Sequence, residues 1–148
     1  MAYTLQAIVA DAAALAHGTI EKKHIVARPQ QKAMLPLTES LREKYNIPFL
    51  PFDDSENKDP VKVVEALVLS LALTGRVTYI EAMSFGGAGY QASVVLENGH
   101  SVGAGVVSQD AVNIALKAIG VQKFENFDEF DALGLGEHRD TDDWIQNN

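Results

Sequence analysis

The stretch VTYIEAMSFGGAGYQASVVLENGHSVGAGVV, Val77 to Val107, alternates two sets of side chains. Val77, Tyr79, Glu81, Met83 and Phe85 fall on one side of an extended chain, and Thr78, Ile80, Ala82 and Ser84 on the other. β-Branched and aromatic residues suit a pleated, half-buried surface. Asn98-Gly99 is the dipeptide best fitted to a two-residue hairpin, because both central positions need positive φ. Gly86-Gly87-Ala88-Gly89 supplies an earlier glycine turn. These signals predict a three-stranded antiparallel meander.

Working outward, DPVKVVEALVLSLALTGR predicts a helix capped by Asp59, opened by Pro60 and stopped at Gly75. Val63, Val64, Leu67, Val68 and Leu71 cover more than one stripe, so this reads as a largely buried central helix packed on the meander. SQDAVNIALKAIG reads as a second helix, capped by Ser108 and ended by Gly120, with Ala111, Ile114, Ala115, Ala118 and Ile119 as its apolar face. The N-terminal part reads as strand, helix, strand. Tyr3–Ala10 is extended, Asp11 caps DAAALAHG, HIVAR and KAMLPL are strands, and Thr38 caps LTESLREKYN. The fold class is α+β: an antiparallel three-stranded meander packed with a central helix, plus an N-terminal strand-helix-strand region. Residues 1–148 form a single domain with an ordered acidic C-terminal segment, 121–148.

The formal net charge is −8. Such a surface repels phosphates and has no Lys/Arg run to release counterions, which argues against nucleic acid; it permits a basic protein partner or a cationic ligand, and serves solubility in any case. The chain has no cysteine, which excludes disulfides and thiolate chemistry. No run has the length and apolarity of a membrane span, and the N-terminus lacks a basic leader pattern, so the expectation is a cytoplasmic protein with no membrane partner. No feature fixes an oligomeric state.

The glycine run is followed by a strand rather than a helix, which disfavours a phosphate loop. His17, His24, His100 and His138 show no metal-ligand spacing with one another, and the acids Asp140, Asp142 and Asp143 lack the pattern of a calcium loop. Neither a metal nor a cofactor is expected. His138-Arg139-Asp140 has the residue types for proton transfer. Its structural reading is a capped last turn in which Trp144 packs onto the body.

Two segments, YIEAMSFGGAGYQASVV and DEFDALGLGEHRDTDDW, resemble a family of small uncharacterised bacterial cytosolic proteins. Its pattern is Phe-Gly-Gly-x-Gly-x-Gln followed by a closing Asp-Glu-Phe-Asp-x-x-Gly-Leu-Gly-x-His-Arg-x-Thr-x-Asp-Trp. The resemblance implies a bacterial, cytosolic protein and supplies no catalytic residue.

A disordered acidic arm should lack apolar residues. This one carries Phe124, Phe127, Phe130, Leu133, Leu135, Trp144 and Ile145, so it is expected to dock with its apolar residues down and its acids up. Folding back over the meander would gather Glu81, Gln91, His138, Arg139 and Asp140 into a binding site. The functional expectation is a non-enzymatic intracellular binding protein, immunity- or inhibitor-like. The alternative is a small-molecule enzyme or ligand-binding protein using Glu81, His138 and Arg139.

Overall fold

The computed structural model describes residues 2–53, 59–85 and 88–145. In chain order the elements are β1 (Tyr3–Asp11), α1 (Ala12–Ala16), β2 (Val26–Arg28), β3 (Lys32–Pro36), α2 (Glu39–Tyr45), α3 (Pro60–Ser70), β4 (Arg76–Phe85), β5 (Ala88–Glu97), β6 (His100–Ser101), β7 (Val106–Val107), α4 (Ala111–Ala118) and α5 (Glu129–Ala132). The class is α+β. One antiparallel sheet runs β2-β3-β1-β4-β5-β6, with β7 also on β5.

The predicted meander is present only in part. β4 and β5 pair from Arg76↔Glu97 to Phe85↔Ala88. Asn98 and Gly99 both take positive φ between them and β6, as the hairpin signal required. The third strand is broken into β6 and β7, because Gly103 has a left-handed φ and Gly105 lies close under Phe52. The predicted turn at Gly86–Gly89 rests on Gly86 and Gly87, which lie outside the described residues.

The N-terminal strands, whose order the sequence did not fix, join the same sheet as the β4–β5 pair. β1 is central, pairing with β3 on one side and with β4 along Tyr3↔Ser84 to Ala10↔Val77 on the other. Long-range pairing of this kind leaves no short-range sequence mark.

Both faces of the sheet are covered. The first carries Ile8, Ala10, Leu35, Tyr79, Val94 and Leu96 beneath Leu15, Leu41, Val64, Leu67, Val68 and Leu71. The second carries Leu5, Ala7, Val9, Met34, Ile80 and Ala82 beneath Val112, Ala115, Leu116, Leu133, Leu135 and Trp144. The predicted packing of the α3 helix on the sheet is seen. The helix is less buried than predicted: Val64, Leu67 and Val68 are buried and Leu69 is exposed.

Local signals succeed and fail for physical reasons. Thr38 accepts from the Leu41 N–H and Asp59 from the Lys62 N–H, as caps do. Asp11 makes no cap bond, because its carboxylate is held by Lys32 at 2.9 Å. α3 stops at Ser70, before Gly75, and the chain turns through a left-handed Ala72. The N-cap of α4 is Asp110, not Ser108, whose hydroxyl donates to that aspartate. The buried stripe of α4 is Ala111, Val112, Ala115 and Leu116, and Ile114 points outward.

Candidate functional site

Alternation along β4 puts Glu81 on the same face as Tyr79, in an apolar layer, and it is fully buried. A carboxylate there needs donors. The Tyr79 hydroxyl donates to Oε1 at 2.6 Å and the Phe52 N–H to the same atom at 3.1 Å. The Tyr90 hydroxyl donates to Oε2. Gln6 extends the network, donating from Nε2 to the Tyr79 hydroxyl at 2.9 Å and to the Pro48 carbonyl at 3.1 Å. Its Oε1 accepts from the Leu50 N–H. Two side chains on adjacent strands thus fasten the 48–52 segment over the sheet.

Burial pushes the Glu81 carboxyl above its ordinary range, against the opposing pull of the Tyr79, Tyr90 and Phe52 donors. Burial first, then the neighbouring carboxylate, raises the Tyr79 phenol, and Tyr90 is raised the same way. All three groups therefore hold their protons more tightly than they would in water.

Gln91 lies on the opposite face, paired with Ala82. Its Oε1 accepts from the Val112 N–H, which ties β5 to the start of α4. It lines an open groove of about 550 Å³ with Tyr3, Ser84, Tyr90, Gln109 and Phe130. The groove has aromatic walls and, among the described residues, no charged lining residue.

The C-terminal segment runs across this second face. Where β3 ends, its backbone takes over beside β1. The Thr4 N–H donates to the Arg139 carbonyl at 2.8 Å, and the Thr141 hydroxyl accepts from the Gln6 N–H and donates to the Thr4 carbonyl. Arg28 donates to the Leu133 carbonyl, pairs with Glu137 and lies 4.8 Å over the Trp144 ring. Asp142 accepts from the Glu39 N–H at the start of α2. His138 meets Trp144 edge-on at 4.6 Å.

The five predicted site residues do not form one constellation. Glu81 faces the first layer and Gln91 the second. His138 packs on Trp144, while Arg139 and Asp140 line a shallow depression with Thr4, Arg42 and Phe49. The sheet stands between Glu81 and the buried Leu133, Leu135 and Trp144 of the C-terminal segment. The segment is docked, with Leu133, Leu135 and Trp144 buried, but its predicted one-sidedness is incomplete: Phe124 and Phe127 are exposed and Glu129 is buried.

Tyr79, Tyr90 and Gln6 were missed by sequence reasoning, although the alternation that buries Glu81 already demanded donors beside it. Among the described residues no cluster of histidines and carboxylates could hold a metal ion, and no helix is long and apolar enough to cross a membrane. Comparisons with protein-family models, curated proteins and solved structures return no match to this chain.

Proposed function

We propose that this is a cytoplasmic, non-enzymatic binding protein that covers a basic protein partner, as immunity and inhibitor proteins do. The observation that carries the reading is the C-terminal segment. Its acids Asp128, Asp131, Glu137, Asp140, Asp142 and Asp143 stand exposed on a backbone fixed by buried Thr141 and Trp144. Carboxylates held in place complement a basic surface with little ordering cost on binding, and they accelerate encounter. Glu81 bonds to Tyr79, Tyr90 and Phe52 while His138 packs on Trp144 in the opposite layer, which argues against the acid–base set.

A deca-lysine peptide tests this. The Asp140→Asn/Asp142→Asn/Asp143→Asn variant should lose most of the salt-dependent affinity. Neutralising Glu21, Glu97 and Asp110 instead should lose little. Equal losses in the two variants would reduce the effect to net charge and sink the reading.

A second reading rests on Tyr90, which both seals Glu81 and walls the groove. A neutral ligand in the groove would then be felt at the buried carboxyl.

A further inference from the structure

Two of the largest exposed apolar side chains lie together. Phe124 is 62% exposed and Phe127 52%. They close a tight turn, each N–H donating to the other's carbonyl at 3.3 and 2.8 Å, with Glu125 in the left-handed region between them. Non-glycine residues adopt that region at a cost, so the surroundings must hold the turn in place.

Those surroundings are visible. Gln30 grips the Gln122 backbone at two points, donating to its carbonyl at 2.8 Å and accepting from its N–H at 2.9 Å. Gln30 and Gln31 are themselves in left-handed conformations. The rings are therefore presented on a braced turn rather than folded inward, although burial would stabilise each.

Phe124 and Phe127 line a pocket of about 330 Å³ with Gln30, Asp131 and Ala132. From Val121 to Gly136 the sequence holds one cation, Lys123, against Glu125, Asp128, Glu129 and Asp131. Asp131 donates its N–H to Asp128 at 2.9 Å, so two carboxylates sit close together. Burial and that neighbouring charge raise the Asp131 carboxyl, a repulsion that a bound cation relieves.

We propose that this turn is the anchor for an arginine side chain of the basic partner, received by the Phe124 and Phe127 rings with its guanidinium on the Asp131 carboxylate. The inference rests on the reading of the protein as a binder of basic proteins and names where the partner is held. Aromatic faces attract cations, and a planar guanidinium both stacks on rings and meets a carboxylate through two N–H groups. An ammonium does neither as well. The acids around the turn add charge complementarity that an uncharged apolar partner would not use.

Acetylated hexa-arginine amide and hexa-lysine amide, titrated calorimetrically at low and high salt, provide the test. Hexa-arginine should bind the native protein more tightly, with the excess surviving high salt, because ring stacking is screened less than surface charge. Phe124→Ala/Phe127→Ala should weaken it roughly tenfold and abolish the preference over hexa-lysine. Phe85→Ala, which removes another exposed ring, should change nothing. Melting temperatures near the native value confirm that the exposed-ring variants fold. If Phe124→Ala/Phe127→Ala binds hexa-arginine like the native protein while the Asp140/Asp142/Asp143 variant does not, the anchor is refuted and the broader function stands. If neither variant changes binding, both fail.

Discussion

On one face of the sheet, helices α1, α2 and α3 lay Leu15, Leu41, Val64, Leu67 and Val68 over the strands. On the other, α4 covers part of the strands and the rest is sealed by residues 121–145, which contain only short helical turns. The first cover is mostly amphipathic helix, whose interior hydrogen bonds close within each helix, and its 48–52 segment is tied down by strand side chains. The second is largely irregular backbone, and buried irregular backbone must find partners elsewhere. It finds them in sequence-distant residues: Thr4, Gln6, Arg28 and Glu39. The comparison shows how a segment with little regular structure becomes part of the core, through a few large side chains and a set of long-range backbone bonds.

The largest expected effect breaks the second face. Deleting Asp140–Asn148 removes Trp144 and Thr141 together. It opens a cavity in the second apolar layer and leaves the Gln6 N–H without its acceptor. Truncating a buried tryptophan alone costs about 3–5 kcal/mol, so the deletion should cost at least that in a denaturant titration. In the intact protein the emission of Trp144 should be blue-shifted and move red on unfolding. Emission at the free-tryptophan position, with unchanged stability after deletion, would return the segment to the status of an appendage.

The first face should yield next. Leu67→Ala leaves the sheet and helix in place and opens one cavity, at about 2–5 kcal/mol. A loss below about 0.5 kcal/mol would show that α3 is peripheral. A deletion costing clearly less than Leu67→Ala would reverse the comparison and make the helical cover the dominant one.

What was legible in the sequence follows the range of the forces. β4 and β5 were readable because Asn98-Gly99 and the period-two alternation act locally. α2 and α3 were readable from Thr38, Asp59 and Pro60. The central place of β1 was not, because its register partners lie far along the chain, from Lys32 opposite Asp11 to Ser84 opposite Tyr3, with no local marker. The face of α4 was misread because Ala111 and Ala115 fit two adjoining stripes, and only the packing of Val112 and Leu116 chooses between them. At the candidate site, the burial of Glu81 was implied by alternation. Its phenol partners were less visible: Tyr90 lies diagonal to Glu81, whose direct cross-strand neighbour is Ala92.

The smallest expected effect concerns a flaw in the better-built face. Glu81 is an acid among apolar groups, and its folded carboxyl holds a proton more tightly than its ordinary value of 4.5 allows. Between that value and the raised one, the folded state binds more protons than the unfolded state. Stability from this group is therefore fully present below about pH 4.5, falls as pH rises through the raised value, and is constant above it. Glu81→Gln carries no proton in either state and should remove that decline. The amide oxygen can still accept from the Tyr79 hydroxyl and the Phe52 N–H, and the Tyr90 hydroxyl can turn to accept from the amide. The change at pH 7 should then stay within about 1 kcal/mol, the scale of one exchanged hydrogen bond. Denaturant titrations from pH 4 to pH 8 on both proteins measure the difference in slope. Parallel curves would mean that Glu81 titrates normally in the folded state and that its phenol and backbone donors fully offset its burial.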